Sequence, residues 1–287
     1  MKSLLETAVR LEQEGVPFAL VTVLRTVAPT SAHPGDKAVV TPEGKFHGWV
    51  GGGCAQRHIV RAVRAALADG KTRQIRVVPE DEVDAAAREV EEFASHCPSR
   101  GTLELLIDPV PARPQLVVLG DSPVASSLSA LAPQLGFDVT VAAIDAQASD
   151  FPEAAAVYPV FAADTLRERV KPGADVVVAT QGKLDVIALK TALSLGARHV
   201  SFVASLRKAT ALKADLRKEG LATADIEAIV APAGLDISAR TPAEIALSVL
   251  AYLVALRRGS AAVARAPATS ITAPAPLAAV SGGGARR

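Results

Sequence analysis

The chain has 287 residues, and at roughly 150 residues per domain this length favours two domains. Apolar residues make up 49% of the sequence and charged residues 21%, so the chain has the composition of a globular protein with enough apolar side chains for a core. The 31 lysines and arginines nearly balance the 30 acidic residues and aromatic residues amount to 3%, which argues against a nucleic-acid partner.

Residues 1–110 are predicted to form a small α+β domain with antiparallel strands. An amphipathic helix begins the chain, and apolar alternation, turn residues and helical periodicity predict the elements that follow. In chain order these are strands at 17–25, 37–41 and 45–50, a helix at 54–68, a strand at 73–78, a helix at 80–95 and a strand at 102–110. Prolines at 109, 111 and 114 then interrupt any regular element, so we place the domain boundary there.

Residues 115–258 are predicted to form a Rossmann-like, doubly wound parallel-sheet domain, which makes the whole chain an α/β protein. Near-continuous apolar strands alternate with segments of helix length, as in a parallel sheet covered on both faces. The predicted strands are 115–119, 138–144, 157–161, 175–179, 199–204 and 227–231. Residues 259–287 are mainly Ala, Pro, Ser, Thr and Gly, which predicts a disordered tail.

The last predicted helix begins with a capping box formed by Thr241 and Glu244. Its body, residues 245–256, is apolar on nearly all sides, so we expect it to be buried in the domain or in a subunit contact, and a homodimer is the expected oligomer. The run is shorter than the ~20 residues of a membrane span, and the charged first helix is unlike a signal peptide. We therefore expect a cytoplasmic protein with no membrane span.

The first candidate site is the strand–helix junction at Gly51, Gly52, Gly53 and Cys54. Three consecutive glycines permit positive φ angles and let a ligand approach the backbone closely. The start of the following helix carries partial positive charge, which favours an anion and lowers the pKa of a thiol. Cys54 is thus a candidate thiolate ligand or nucleophile. The residue types are equally compatible with a tight turn around a small buried cysteine.

A second loop, residues 29–36, is predicted to lie at the same end of the sheet. Successive loops of an antiparallel meander alternate between the two ends, and two strands and one turn separate this loop from the glycine loop. Thr30 and Ser31 supply hydroxyl groups, and Gly35 permits an unusual backbone conformation. Together the two loops can line a pocket for a polar, anionic ligand, whereas the second loop taken alone is more typical of a solvated turn.

Two further N-terminal residues are candidates. Arg57 follows Cys54 closely and adds positive charge near the glycine loop. Cys97 is able to form a two-thiolate site with Cys54, and an incidental thiol is an equal alternative because the sequence does not give their separation. None of the five histidines has metal-ligand spacing.

The turn after the first strand of the second domain fits a dinucleotide site only in part. The fingerprint Gly-x-Gly-x-x-Gly/Ala reads Gly-Asp-Ser-Pro-Val-Ala here, so Gly120 is kept and the middle glycine is Ser122. Asp121 adds negative charge beside the expected pyrophosphate, and Pro123 removes an N–H group from the helix start. A Rossmann domain without NAD(P) is therefore favoured, and an NAD(P)-binding oxidoreductase is the alternative.

Three further polar residues are expected at the carboxyl ends of strands in this domain, where such sheets bind ligands. Asp145 lies near the position of a ribose-binding acid, about 20 residues after the turn. Gln181 and Asp236 lie in two polar strand-to-helix turns further along the chain. Each turn is also an ordinary connection between a strand and a helix.

Two longer stretches resemble the XdhC/CoxI family. They are Gly-Trp-Val-Gly-Gly-Gly-Cys-Ala at residues 48–55 and Ala-Pro-Ala-Gly-Leu-Asp-Ile-Ser-Ala-Arg-Thr-Pro-Ala-Glu-Ile-Ala-Leu-Ser at residues 231–248. With the degenerate Rossmann domain, the resemblance covers about residues 5–258. The segments 29–36 and 120–125 are more similar to the branch found with carbon monoxide dehydrogenase-type molybdenum hydroxylases.

This resemblance implies a maturation factor rather than a turnover enzyme. Such proteins bind molybdenum cofactor as cargo, protect it while its metal is modified, typically by sulfuration with a cysteine desulfurase, and insert it into the large subunit of an apo molybdenum hydroxylase. The cargo is molybdopterin or its cytosine dinucleotide form, and it carries phosphate and a metal that a thiolate can approach. The family motif assigns the metal contact to Cys54 and matches Cys97 less closely.

The chain departs from the family pattern at four positions. Gln56 is a further candidate for cofactor binding, and it stands where glutamate is usual in the family. Gln181 stands where histidine is usual. Ser238 replaces a glycine, and Tyr252 replaces a glutamate. These changes weaken the case for catalysis by the Rossmann domain and affect N-terminal cofactor binding less. A third interpretation is a protein-interaction module that uses the apolar last helix and needs no cofactor.

Overall fold

A computed structural model describes residues 3–83, 90–96, 98 and 100–259 of the protein. The chain forms two compact units, Met1–Arg113 and Pro114–Arg287. The sheet of the first unit is mixed and mostly antiparallel, and that of the second is parallel throughout. The predicted α/β class, with a Rossmann-like second part, is therefore confirmed. Cys97 and the predicted tail from residue 260 onward lie outside the described residues.

The first unit is built on a six-stranded sheet in the order β3-β2-β1-β6-β4-β5. Its elements are α1 Leu4–Gln13, β1 Phe18–Val27, β2 Lys37–Val40, β3 Phe46–Gly48, α2 Gly53–Asp69, β4 Arg73–Pro79, β5 Glu91–Ser95 and β6 Thr102–Val110. Neighbouring strands are antiparallel except β4 and β5. Since β1, β2 and β3 form a meander, the loops after β1 and after β3 emerge at the same end of the sheet, as predicted.

Helix α2 covers one face of this sheet because its apolar side chains recur at helical spacing. Ile59 and Val63 are fully buried and belong to one core with Leu105 of β6. Helix α1 packs on the opposite face, where Leu11 lies in a smaller cluster with Val39. The packing of α2 holds its first turn at the end of the sheet where both loops emerge.

The predicted helix at 80–95 is wrong. Residues 80–82 form a single 3-10 turn, and Glu91–Ser95 is the edge strand β5; residues 84–89 lie outside the described part. Phe93 and Ser95 are buried while their neighbours are less so, which is the period of two of a strand. The acidic, alanine-rich sequence has helical propensity, and parallel pairing with β4 overrides it in the last five residues.

The second unit is a five-stranded parallel sheet in the order β11-β10-β7-β8-β9. Its elements are β7 Gln115–Leu119, α3 Pro123–Leu131, β8 Asp138–Ala142, β9 Ala156–Tyr158, α4 Ala163–Arg167, β10 Asp175–Val178, α5 Asp185–Ser194, β11 His199–Phe202, α6 Leu206–Lys218, α7 Thr223–Ala228 and α8 Pro242–Arg257. After β9 the chain crosses from one side of β7 to the other. Doubly wound sheets bind their ligands beside such a switch point.

Alternate residues of the parallel strands enter two separate cores. In β7, Val117 and Leu119 face the core that includes α5 and α6, whereas Leu116 and Val118 face the core that includes α3 and α8. Burial on both faces explains the near-continuous apolar strands that the sequence showed.

The last helix, α8, has the predicted capping box. The Oγ1 atom of Thr241 accepts the N–H of Glu244 at 3.3 Å, and the Glu244 carboxylate accepts the N–H groups of Thr241 and Arg240 at 2.9 and 2.7 Å. These donated hydrogen bonds lower the pKa of Glu244. Much of the apolar surface of α8 is buried inside its own unit against α3. Among the helices of the described ranges, none combines the length and apolar character needed to cross a membrane.

The predicted sixth strand at 227–231 is wrong. Thr223–Ala228 is helix α7, and only Val230 forms a parallel bridge, with Ser201. Ile229 and Val230, the bulky apolar residues of that segment, follow the helix, and Ile229 is buried in the turn after it. Pro232 has no N–H group, so the ladder cannot continue past it.

The Ser238→Gly variant is expected to be more stable than the natural chain. Ser238 has φ +57°, a left-handed conformation that costs an L-residue roughly 1 kcal/mol. The extra chain entropy of glycine offsets at least half of this strain, so the gain is about 0.5 kcal/mol at most. Urea denaturation measures it. The Ser238→Ala variant, which keeps the strain, should show no gain, and equal stabilisation of both variants would contradict the explanation.

Candidate functional site

The loops after β1 and after β3 meet around a small pocket of about 100 Å³ at the end of the first sheet. Its polar and glycine wall includes Thr30, Ser31, Gly52, Cys54, Ser95 and Gly101. The structure thus brings together two predicted hydroxyl residues and the predicted cysteine from separate loops. We call this cavity the Cys54 pocket.

The glycine loop places Cys54 at the first turn of α2, with its side chain exposed. Gly51 is buried at φ +126°, and a Cβ atom there would lie 2.9 Å from the Leu103 side chain, so the chain requires a glycine at this bend. Gly52 caps the helix through its backbone, and Gly53 is its first residue. The position of Cys54 differs from that expected of a buried cysteine in a tight turn.

The Pro29–Ser31 segment forms the facing wall of the Cys54 pocket. The Oγ1 atom of Thr30 accepts the N–H of Ala32 at 3.2 Å, which fixes the turn. A Cβ atom at Gly101, which also lines the pocket, would lie only 2.0 Å from the carbonyl oxygen of Pro29. The start of β6 can therefore press against this loop only because residue 101 is a glycine.

The charge around the Cys54 pocket favours an anion. Among the described residues that line it, none carries a carboxylate. The N-terminus of α2 contributes the partial positive charge of its first turn, which draws anions toward exposed N–H groups. The described residues hold no cluster of three or more His, Cys, Asp or Glu side chains arranged to bind a metal ion.

Three predicted residues near this pocket are absent from its described wall. Gly35, at φ +93°, donates its N–H to the carbonyl oxygen of Val23 at 2.8 Å and closes the β1–β2 connection. Gln56 is half-buried and Arg57 is exposed on the first turns of α2. Arg57 lies one helical turn after Cys54, so its positive charge is at the same end of α2 as the pocket.

His58, which the sequence did not single out, holds Arg57 in place. The Nε atom of Arg57 donates to Nε2 of His58 at 3.0 Å. Burial lowers the pKa of His58, and the positive charge of Arg57 lowers it further. His58 therefore stays neutral near pH 7 and accepts this hydrogen bond.

Ser95 and Trp49 are also residues at this site that the sequence did not indicate. Ser95 lies on the edge strand β5, which was predicted to be part of a helix. The sequence therefore contained no indication that Ser95 lines the pocket. Trp49 lies directly after β3, and its Nε1 atom donates to the carbonyl oxygen of Ser31 at 3.2 Å. The motif at 48–55 contains Trp49, yet its alternation with Val50 looked like part of a strand.

A second cavity, of about 290 Å³, lies at the switch point of the parallel sheet. Its wall includes Gly120, Asp121, Ile144, Phe161, Lys183 and Leu184. Gly120 is the predicted turn glycine: its φ is +130°, and a Cβ atom would lie 2.3 Å from the Ala179 carbonyl oxygen. This cavity belongs to the second unit alone.

Side chains of the turn after β7 occupy or remove the groups that a phosphate at this cavity would need. The Oγ atom of Ser122 accepts the N–H of Ala125 at 3.2 Å, and Pro123 is the first residue of α3. The carboxylate of Asp121 pairs with Nζ of Lys183 at 3.1 Å. Lys183 thus balances the charge of Asp121, and Pro123 leaves an N–H group missing where a pyrophosphate needs donors.

The other predicted residues of the second unit do not line this cavity in the part of the chain described. Asp145 and Gln181 are exposed and have left-handed backbones, at φ +59° and +53°. Asp236 accepts the N–H of Ser238 at 3.2 Å in an exposed turn. Buried Asp185 instead organises the loop after β10, since it accepts from Thr180 and Gly182 and pairs with Lys208.

NADH is expected not to bind in the submicromolar to low-micromolar range. Pro123 supplies no N–H at the start of α3, and the Ser122 hydroxyl already takes the N–H of Ala125. Titration of NADH fluorescence with the purified chain checks this expectation. A saturable change in that range would instead favour the oxidoreductase alternative.

Comparisons with known proteins agree over both units. Residues 11–78 match the XdhC and CoxI family, and residues 116–253 match the XdhC Rossmann domain. The chain is 28% identical over 258 residues to the uncharacterized protein YqeB of Escherichia coli (strain K12). That alignment covers 88% of this chain and 46% of YqeB, so the chain spans about half the length of this relative.

Similarity to solved structures is more distant in sequence. A crystal structure described as a xanthine dehydrogenase from Bacillus halodurans is 18% identical, with a TM-score of 0.46. The match covers 94% of this chain and 98% of that chain. The two family matches extend through most of both units, and the chain belongs to the XdhC and CoxI family.

Proposed function

We propose that this chain is a maturation factor for a molybdenum hydroxylase of the xanthine or carbon monoxide dehydrogenase type. It binds molybdenum cofactor as cargo, protects it while the metal is modified, and inserts it into the large subunit of the apo-hydroxylase. Family membership supports the maturation role. The observation that carries the binding site is the exposed Cys54 side chain, which shares a pocket with Thr30 and Ser31.

The Cys54 pocket suits one end of this cargo. Molybdopterin carries its phosphate next to the dithiolene group that holds the metal, and its pterin ring forms the opposite end. The sulfur of Cys54 is a soft donor of the kind that thiophilic metals accept. The start of α2 and the guanidinium of Arg57 favour the phosphate, and the Thr30 and Ser31 hydroxyls donate to oxygen ligands.

The remaining parts of the proposal rest on the family resemblance and, for the location, the oligomer and the second thiol, on the sequence. The cargo is molybdopterin or its cytosine dinucleotide form, and a cysteine desulfurase supplies sulfur for its modification. We place the chain in the cytoplasm as a homodimer. Cys97 is proposed as the second thiol. Gly120, Asp145, Gln181 and Asp236 are proposed, for the second unit taken by itself, as contacts to a nucleotide.

Retention of molybdopterin by the purified chain tests the proposal. The chain is incubated with molybdopterin, passed through a gel-filtration column and assayed for bound pterin, and near-stoichiometric retention is expected. The Asp121→Asn variant, altered in the second cavity, serves as a control and should retain as much. The loaded chain should then restore activity to apo-hydroxylase.

Two results would contradict the proposed function. One is the absence of any retained pterin on the natural chain. The other is a stable complex with apo-hydroxylase that forms without cofactor and is unaffected by changes at residues 51–54, because that behaviour identifies an interaction module.

A further inference from the structure

Trp49 is the single tryptophan of the chain, and about half of it, 48%, is exposed. Its backbone N–H donates to the carbonyl oxygen of Lys37 at 3.1 Å, and its indole Nε1 donates to that of Ser31 at 3.2 Å. The ring is therefore attached at its polar edge to the same loop that forms one wall of the Cys54 pocket, while much of its apolar surface faces solvent.

The backbone on both sides of Trp49 is fixed by glycines that no other residue can replace without a clash. At Gly48, with φ +108°, a Cβ atom would lie 2.3 Å from the carbonyl oxygen of Lys37. At Gly51, with φ +126°, it would meet Leu103. The backbone at Trp49 is thus fixed and the hydrogen bond to Ser31 anchors the indole, so the side chain loses little conformational entropy when a ligand binds.

The size of the Cys54 pocket requires that a larger ligand extends beyond it. Sites that enclose a whole small molecule have volumes of about 300–1,000 Å³, and this pocket has about 100 Å³. If its metal and phosphate end enters the pocket, the pterin ring lies on the surface next to it. Ser31 connects that surface to Trp49, because it lines the pocket and accepts the indole hydrogen bond.

We infer that Trp49 stacks on the pterin ring of the cargo and so sets its orientation, with the metal end toward Cys54. This inference rests on the proposed function and extends it. An indole face is a platform for planar heterocycles, and stacking tolerates differences in ring substituents. Trp49 is in this role a positioning residue, since the modified metal lies at the far end of the ligand.

Intrinsic fluorescence tests the inference, because all tryptophan emission of this chain comes from Trp49. Molybdopterin should quench this emission saturably, with the same Kd as gel-filtration retention. A simple probe, 6-hydroxymethylpterin, has neither phosphate nor dithiolene and should quench the natural chain and the Cys54→Ser variant alike. Absence of quenching while molybdopterin is retained would overturn the inference.

Two variants separate stacking from a structural role of Trp49. The Trp49→Ala variant should bind molybdopterin roughly tenfold more weakly, the size expected for one stacked ring. The Trp49→Phe variant keeps an aromatic face but loses the hydrogen bond to Ser31, and it should bind within about threefold of the natural chain. Equal losses in both variants would overturn stacking, since the hydrogen bond would then be what matters.

The outcomes distinguish this inference from the proposed function. If the natural chain retains no molybdopterin, the proposed function itself fails. If it retains molybdopterin and loses it in the Cys54→Ser variant but not in the Trp49→Ala variant, only the stacking inference fails. If apo-hydroxylase quenches the Trp49 emission and molybdopterin does not, stacking is also overturned, because Trp49 is then a contact for the protein partner.

Discussion

The Gly101→Ala variant is expected to lose about 2–3 kcal/mol of stability in the first unit and most of its cofactor binding. The new Cβ atom would lie 2.0 Å from the carbonyl oxygen of Pro29 and 2.8 Å from its carbonyl carbon. Both are backbone atoms, so the Pro29–Ser31 loop must move away. Since that loop is one wall of the Cys54 pocket, the pocket opens as the clash is relieved. Urea denaturation and molybdopterin retention measure the two effects.

Gly53→Ala is the matched control for this prediction. A Cβ atom at Gly53 meets nothing within 4 Å, and the position is the first of α2, so stability should change by less than about 0.5 kcal/mol. If Gly101→Ala were as stable as Gly53→Ala, the close approach between β6 and the Pro29–Ser31 loop would be refuted.

The Cys54→Ser variant is expected to bind metal-loaded molybdopterin on the order of tenfold more weakly or worse, the size of effect seen even for outer-shell partners of a metal. The positive end of a helix stabilises a thiolate, whereas a serine hydroxyl remains protonated and is a poor ligand for a soft metal. Because the side chain is exposed, stability should change by no more than about 0.5 kcal/mol. Equilibrium dialysis measures the affinity.

Arg61→Gln is the control on the same helix. Arg61 is exposed two turns beyond Cys54, and its side chain pairs with Glu91 at 3.7 Å outside the pocket. It should leave affinity for molybdopterin unchanged. Equal affinity of the Cys54→Ser variant and the natural chain would remove the sulfur from the binding mechanism.

Much of the fold could be predicted because local patterns and tertiary structure agree. β6 and β7 have the bounds that alternation and apolar runs predicted, 102–110 and 115–119. The geometry of a meander predicted that the two loops lie at the same end of the sheet. The structure accordingly places Thr30, Ser31 and Cys54 in the wall of one pocket.

The failures have identifiable physical causes. β5 could not be predicted because its strand character comes from pairing with β4 rather than from its own residues. The segment 227–231 was misassigned because its first two residues belong to helix α7 and Ile229 is buried in the turn after that helix. In both cases the hydrophobic pattern was too short to separate the two periods.

The candidate site was predictable in its loops and not in its remote parts. Gly101 matters through a close backbone approach to Pro29, which no local pattern records. The hydrogen bond from Trp49 to Ser31 joins residues 18 positions apart, and the Arg57–His58 contact depends on how deeply His58 is buried. Such features depend on tertiary packing.

Protection of Cys54 from alkylation tests most directly that the cargo lies against this sulfur. The chain is treated with iodoacetamide with and without molybdenum cofactor, and modification of Cys54 is followed by mass spectrometry. With free cofactor at about ten times its Kd, roughly one tenth of the sites stay empty, so the rate should fall about tenfold. An unchanged rate on a chain that retains the cofactor would show that the cargo binds elsewhere.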